Sequence, residues 1–251
     1  MEVCSFTEND KTGKGDPLEF KSRDGTRSLW ISFTQGRIYY EASIKHGPTN
    51  LVKGLPTEKE AINLTQNSLP KLGVNLSEID KNAYGSEIGF SVGDSETTYF
   101  VKPQAITNIE SRGVGFRRAV DGFSFLGGDA GGDGDVRFGD HGKIIKINLC
   151  WRNMECDKSY PTVSLDMMIQ SLRTGKAVQG FLPMNSGGID WRTVKSVTVN
   201  QARPCYYAGD VFQPSDWLEP FAVLDTVVDT GHGNIRVEID CPILDETTGR
   251  K

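Results

Sequence analysis

Two stretches of the sequence repeat one pattern. The first reads Leu29-Trp-Ile-Ser-Phe33, Thr34-Gln-Gly36 and Arg37-Ile-Tyr-Tyr40, and the second reads Val136-Arg-Phe138, Gly139-Asp-His-Gly142 and Lys143-Ile-Ile-Lys-Ile147. In both copies β-branched and aromatic residues flank a glycine turn, which is typical of a β-hairpin. A gap, a Pro-Thr pair and apolar residues at helical spacing follow each hairpin. The recurrence predicts a duplicated unit made of a hairpin and a helix.

The clearest helix is predicted over residues 57–72. Thr57 and Glu60 fit the S/T-x-x-E capping box that begins helices, and Gly73 is a typical residue just past a helix end. Pro70 is expected to distort the last turn. In the second copy Ser164 is expected to cap a helix that runs to about Arg173.

The rest of the chain reads mainly as strands. A second hairpin is predicted from strands at 86–92 and 97–101, one strand at 114–126, and further strands within 191–207, 221–228 and 235–239. Two helices beside about ten strands predict an α+β fold in which each antiparallel sheet is covered by one main helix. The predicted organisation is an N-terminal arm (1–28), a first α+β unit (29–112) and a second α+β unit (113–251).

Charge and hydropathy exclude two classes of partner. The formal net charge is −5, whereas a nucleic-acid binder usually presents a basic face. No run of eighteen apolar residues is present, so no helix is expected to span a membrane. Residues 1–4 lack the features of a signal peptide, so the protein is either intracellular or has had such a peptide removed.

Glycosylation motifs and cysteines favour the secretory pathway. Asn63-Leu-Thr65 and Asn75-Leu-Ser77 fit the N-glycosylation acceptor pattern. Of the five cysteines, four lie in the second half and allow three disulfide pairings: Cys150, Cys156, Cys205 and Cys241. Five reduced, buried thiols are the alternative interpretation, and Cys4 is unmatched in either case.

Carboxylates interleaved with glycines form the one candidate metal site. Asp129, Asp133 and Asp135 have glycines between them, and a flexible loop of this kind can supply the oxygen ligands that Ca²⁺ needs. The spacing is not that of an EF-hand, and a loop in which Gly and Asp supply turn geometry is the alternative. No other cofactor is predicted. No nucleophile elbow, nucleotide-binding glycine motif or zinc-protease motif is present.

Large aromatic residues of the second half suggest a ligand surface. These residues include Trp151, Tyr206, Tyr207 and Trp217. Several of them are expected to lie on neighbouring strands and to line a concave sheet face, as aromatics do in many ligand pockets. The alternative is that they form a core, where aromatics are equally common.

The second half also resembles a known family. The segment 116–125, the glycine-rich loop and residues 136–144 resemble PepSY-like domains, which occur in protease propeptides and cell-envelope regulatory proteins, and residues 205–207 and 217–222 resemble the last strands of tandem members. The resemblance implies a non-catalytic module that binds or inhibits a partner. It carries over no catalytic residue.

Three functions remain open at this point. The first is a secreted binding or regulatory module that engages a protein or small-molecule ligand through its sheet faces. The second is a cofactor-independent enzyme of isomerase, cyclase or lyase type, acting on a small apolar molecule in an aromatic-lined cleft. The third is a calcium-stabilised carbohydrate binder. Whether the protein is an enzyme is left undecided.

Overall fold

The computed structural model describes residues 6–12, 14–43, 47, 50–85, 88–126, 132–154, 162–174, 189, 191–210 and 213–243. The chain divides into two compact units. The first comprises Met1–Met154 with Gly209–Pro214, and the second comprises Glu155–Ala208 with Ser215–Lys251.

The first unit is built on a seven-stranded antiparallel sheet with the order β1-β2-β3-β9-β8-β5-β4. The strands of the unit are β1 (Leu18–Lys21), β2 (Arg27–Ser32), β3 (Arg37–Ala42), β4 (Phe90–Val101), β5 (Gln104–Arg117), β6 (Ala119–Val120), β7 (Phe123–Leu126), β8 (Gly132–Phe138) and β9 (Ile144–Trp151). Strands β6 and β7 pair with each other in a short antiparallel hairpin. Helix α1 spans Glu58–Ser68, and 3₁₀ turns lie at Glu8–Asp10, Leu69–Leu72, Leu76–Glu78, Ala83–Gly85 and Asp140–Gly142.

The prediction of two α+β units, each with its own helix-covered sheet, is wrong. Strands make up 54% of the structure and helices 18%, so the protein is mostly β. The hairpins predicted in the two repeat copies exist as β2–β3 and β8–β9, but they join edge to edge, because β3 pairs with β9. The pairing satisfies backbone groups that each hairpin would otherwise leave unpaired at its edge, and it places both hairpins in one sheet over one core.

The compact units also divide the chain elsewhere than at the predicted boundary of residues 112 and 113. Strand β5 runs through both of these residues, pairing with β4 on one side and with β8 on the other. A division there would break a continuous strand. The predicted arm (1–28) contributes β1, which pairs with β2. The hairpin predicted from residues 86–92 and 97–101 is wrong, because residues 93–95, where it would turn, lie in the interior of β4.

The predicted start and end of helix α1 are confirmed. The Thr57 hydroxyl accepts a hydrogen bond from the Glu60 backbone N–H at 3.3 Å, and the Glu60 carboxylate accepts one from the Thr57 N–H at 2.8 Å, forming the capping box. Pro70 lies in a 3₁₀ turn, and Gly73 follows with φ 83°. Because proline cannot donate the α-helical hydrogen bond, the last turn tightens as expected.

The core of the first unit lies on one face of the seven-stranded sheet. Directly opposed residues form apolar rows across it, one of which runs Val92, Val114, Val136, Ile147, Tyr40 and Leu29. Residues of α1 and of the following turn, including Ala61 and Leu69, belong to the same buried cluster. Helix α1 therefore contributes to the core that both hairpins share.

The turn between β1 and β2 gives a prediction about pH. The Asp24 carboxylate accepts hydrogen bonds from Ser22 Oγ (2.6 Å) and from Thr26 N (3.0 Å) and Oγ1 (2.8 Å). These bonds lower the pKa of Asp24 from 3.8 to about 2. Because a lowered pKa means that the folded state favours the ionised form, its stabilisation is complete above the unfolded-state value and is lost as the pH falls through the folded-state value.

We therefore expect Asp24→Asn to lower the melting temperature only where Asp24 is ionised. The difference between wild type and variant should be constant above the ordinary pKa of 3.8 and should disappear below about pH 2. Calorimetric melting temperatures measured across this range check the expectation. A difference that persists at the acid end would show that the charge of Asp24 is not what stabilises the turn.

In its described residues the second unit is made largely of three long strands and one helix. These are β10 (Ser196–Asp210), β11 (Gln213–Asp229), β12 (Asn234–Pro242) and α2 (Leu165–Arg173), with a 3₁₀ turn at Trp191–Thr193. The strands are neighbours in chain order, and β11 pairs with β12 in antiparallel fashion. Met168 of α2 packs against a buried cluster of Ala222, Leu224, Ile239 and Cys241. Ser164 Oγ accepts from the Met167 N–H, as predicted for a cap.

No helix in the described ranges is long and apolar enough to cross a membrane.

Candidate functional site

A polar row crosses the face of the seven-stranded sheet that lies opposite the core. Its members are directly opposed from strand to strand: Ser91, Gly115, Asp135, Asn148, Tyr39, Trp30 and Glu19. Because side chains alternate between the faces of a strand, this row lies one residue along from the apolar row of the core. Polar and aromatic groups are thus aligned in a continuous line from one edge of the sheet to the other.

Two ion pairs lie beside the middle of this row and form an acid–base cluster of Arg117, Asp133, Asp135 and Arg137. Arg117 Nε lies 3.6 Å from Asp133 Oδ1, and Arg137 Nε lies 3.2 Å from Asp135 Oδ1. Between 30% and 40% of each of these side chains is exposed. Ion pairs this exposed contribute little to stability. The four side chains are therefore accessible from solvent and have little structural role.

Glycines on β5 let these side chains lie close to the sheet. A Cβ added at Gly113 would lie 3.1 Å from Asp135 Oδ2, and one added at Gly115 would lie 2.9 Å from Ser91 Oγ and 3.7 Å from Tyr84 Oη. A larger residue at either position would push the neighbouring polar groups away from the sheet. The backbone of Gly113 and Gly115 therefore forms the floor of the surface on which the cluster lies.

Tyr84 covers one side of the cluster in a strained conformation. Its backbone has φ 59° and ψ 16°, a left-handed conformation that costs a residue other than glycine on the order of 1 kcal/mol. The Arg117 guanidinium lies over its ring, 4.9 Å from the ring centre. Burial raises the pKa of the Tyr84 hydroxyl, and the charge of Arg117 opposes that effect. Strain of this kind often marks a functional site.

The predicted calcium ligands lie partly in this cluster. Asp133 and Asp135 occupy a regular strand, β8, rather than a loop, and each is paired with an arginine. Gly132 and Gly134 alternate with them on the buried face. Asp129 lies outside the described residues. In the described part of the chain no group of three or more His, Cys, Asp or Glu residues could hold a metal ion.

The four aromatic residues predicted to bind a ligand have different surroundings. Trp151 packs against the core of the first unit, with its ring centre 6.1 Å from that of Phe116 and the Arg118 guanidinium 4.8 Å away. Tyr206 is half-buried in β10 of the second unit. Tyr207 lies in β10 and Trp217 in β11, and their side chains lie outside what the structure describes. For Trp151 the core interpretation fits better than an open pocket.

The cysteines in the described ranges carry no sulphur–sulphur bond. Cys150, Cys205 and Cys241 are buried, while Cys4 and Cys156 lie outside those ranges, and with them any pairing of Cys150 with Cys156. Burial raises the pKa of the Cys205 thiol to about 12 and raises that of Cys241 as well. Since the thiolate is the reactive form, burial makes these two thiols poor nucleophiles.

Sequence reasoning missed Tyr84, Arg117 and Arg137 as site residues. One signal was present in the strict alternation along Gly132–Phe138, where glycine, valine and phenylalanine alternate with aspartate and arginine. That period of two predicts a strand with one buried and one polar face. It points to Asp133, Asp135 and Arg137 as residues of one surface. No sequence pattern close to Tyr84 or Arg117 predicts that these two side chains are in contact.

Comparison with known proteins assigns the chain to no family. No family model matches the sequence, and no curated protein matches it. The resemblance to PepSY-like domains therefore stays a prediction.

Proposed function

We propose that the protein is a binding module that engages its partner through the polar row and the acid–base cluster. The observation that carries this proposal is the cluster itself: four charged side chains, 30% to 40% exposed, on a glycine-lined surface beside a strained tyrosine. Exposed pairs of this kind supply little stability, whereas donors and acceptors fixed on a rigid sheet are suited to recognition.

The same proposal places the protein in the secretory pathway. Asn63 on α1 and Asn75 at the start of a 3₁₀ turn are both exposed, which is the surface position that N-glycosylation requires. Release of a glycan from either asparagine by an N-glycosidase, observed on protein from its native source, would support secretion. An unmodified mass at both sites would argue against it.

Chemical footprinting of arginines tests the binding surface. We expect Arg117 and Arg137 to react with phenylglyoxal several times more slowly when the protein is mixed with concentrated extract or medium from its source. Arg236 is the matched control, because it also pairs with a carboxylate, Asp225, yet lies in the second unit and is 77% exposed. Its rate should not change.

Two results would contradict the proposal. One is equal reactivity of Arg117 and Arg137 with and without the extract. The other is protection of Arg236 to the same degree as the two cluster arginines, which would indicate non-specific association. Mass spectrometry of the modified peptides measures all three arginines in one sample.

A further inference from the structure

We propose that the ligand of this surface is a neutral polysaccharide, an inference that rests on the proposed binding function. The first argument is charge balance. The acid–base cluster contains two guanidinium groups, Arg117 and Arg137, and two carboxylates, Asp133 and Asp135. The carboxylates would repel a phosphate or sulfate, and the guanidiniums would repel a cation. The cluster as a whole has no net charge, which suits a neutral ligand.

The second argument is the mixture of hydrogen-bonding groups. A guanidinium only donates and a carboxylate only accepts, while a sugar hydroxyl does both. Vicinal hydroxyls placed over a carboxylate and a neighbouring guanidinium would therefore satisfy both groups at once. Bonds to charged partners are stronger than neutral ones, so the cluster favours a polyol over a ligand with a few isolated polar groups.

The third argument is the continuation of the polar row beyond the cluster. From Asp135 the row passes through Asn148 to the aromatic residues Tyr39 and Trp30. Neighbouring strands lie about 4.8 Å apart, so Asp135 and Trp30, three strands away, are separated by about 14 Å. Charged and amide groups at one end and aromatic rings at the other suit an extended chain of sugar rings, whose faces are apolar and whose edges carry hydroxyls.

Affinity electrophoresis in native gels tests this inference. The gels contain, in turn, a soluble β-glucan, an α-glucan, a mannan, a xylan and a galactan, with dextran sulfate as the acidic comparison. We expect at least one neutral polymer to retard the wild-type protein. Asp135→Asn and Trp30→Ala should each raise the apparent dissociation constant about tenfold, since each removes one principal contact.

Phe100→Ala is the matched control for the loss of an aromatic ring, because Phe100 is 86% exposed and lies outside the polar row. It should leave the retardation unchanged. Arg137→Gln provides a second variant in the cluster if Trp30→Ala is unstable, and the melting temperature of each variant shows whether it is folded.

The possible outcomes separate the two proposals. Retardation by none of the neutral polymers, or retardation that is equal in wild type, Asp135→Asn and Trp30→Ala, overturns the polysaccharide inference. Retardation by dextran sulfate alone also overturns it. The finding that the same surface binds a protein instead of a polysaccharide overturns it too. In these cases protection of Arg117 and Arg137 in the footprinting experiment would keep the binding function, and absence of protection would remove both proposals.

Discussion

Replacing Arg118 by alanine is expected to destabilise the first unit by about 3 kcal/mol, the low end of the range for breaking a buried ion pair. Arg118 is only 4% exposed. Its guanidinium lies 2.6 Å from the Glu78 carboxylate and donates to the Arg152 carbonyl. It also lies over the rings of Trp151 (4.8 Å) and Phe125 (5.5 Å).

The low end of the range applies because Glu78 reaches water. Its side chain is 27% exposed, so part of the charge left behind can be hydrated. Burial lowers the pKa of Arg118 while Glu78 opposes the shift, which agrees with a cation that depends on its partner. The alanine variant removes the partner of the carboxylate, the stacking on two rings and the volume between them.

Urea unfolding measures the effect, and Arg236→Ala is the matched control. Arg236 also forms a bidentate ion pair, in which its guanidinium nitrogens lie 2.7 and 2.8 Å from the Asp225 carboxylate oxygens, but its side chain is 77% exposed. Water replaces such a contact, so the control should unfold at the wild-type midpoint. Arg118→Met, which keeps most of the volume, should lie between the two. Equal midpoints for Arg118→Ala and Arg236→Ala would show that the buried pair does not stabilise the unit.

Replacing Gly134 by alanine is expected to cost about 1–3 kcal/mol, the usual penalty for overfilling a packed core. The new Cβ would lie 2.1 Å from Cζ of Phe116 and 2.4 Å from Cε2, whereas carbon atoms in contact are about 3.5–4.0 Å apart. Phe116 is completely buried and packs against Phe90 and Trp151. Its ring cannot move aside without disturbing these neighbours.

Gly93→Ala is the control for the Gly134 variant. Gly93 lies in β4 of the same sheet, and a Cβ added there meets no atom within 4 Å. Alanine at this position should be neutral or slightly stabilising, because it restricts the unfolded chain more than glycine does. Urea midpoints of the two variants compare the same chemical change with and without the aromatic ring. Similar midpoints would mean that Phe116 adapts and that Gly134 is not required for packing.

Local elements of the fold were accessible from the sequence because their causes are local. The capping box of Thr57 and Glu60 and the helix after it follow from hydrogen bonds within one turn. The hairpins of residues 27–42 and 132–151 follow from glycine turns between β-forming residues. Residues 132–134 were expected in a loop because glycine and aspartate are typical of turns, whereas they lie in strand β8, as the alternation along Gly132–Phe138 indicates.

The sequence by itself determined where helices begin and where hairpins turn, because these depend on residues only a few positions apart. Tertiary structure alone decided that β3 pairs with β9 and that one core serves both hairpins. A strand edge offers the same backbone donors and acceptors whatever its side chains are, so the choice of partner depends on the packing of the whole core. The pairing of β5 with β8 in the same way sets Arg117 opposite Asp133, and Tyr84 lies against Arg117. No short sequence pattern encodes either contact.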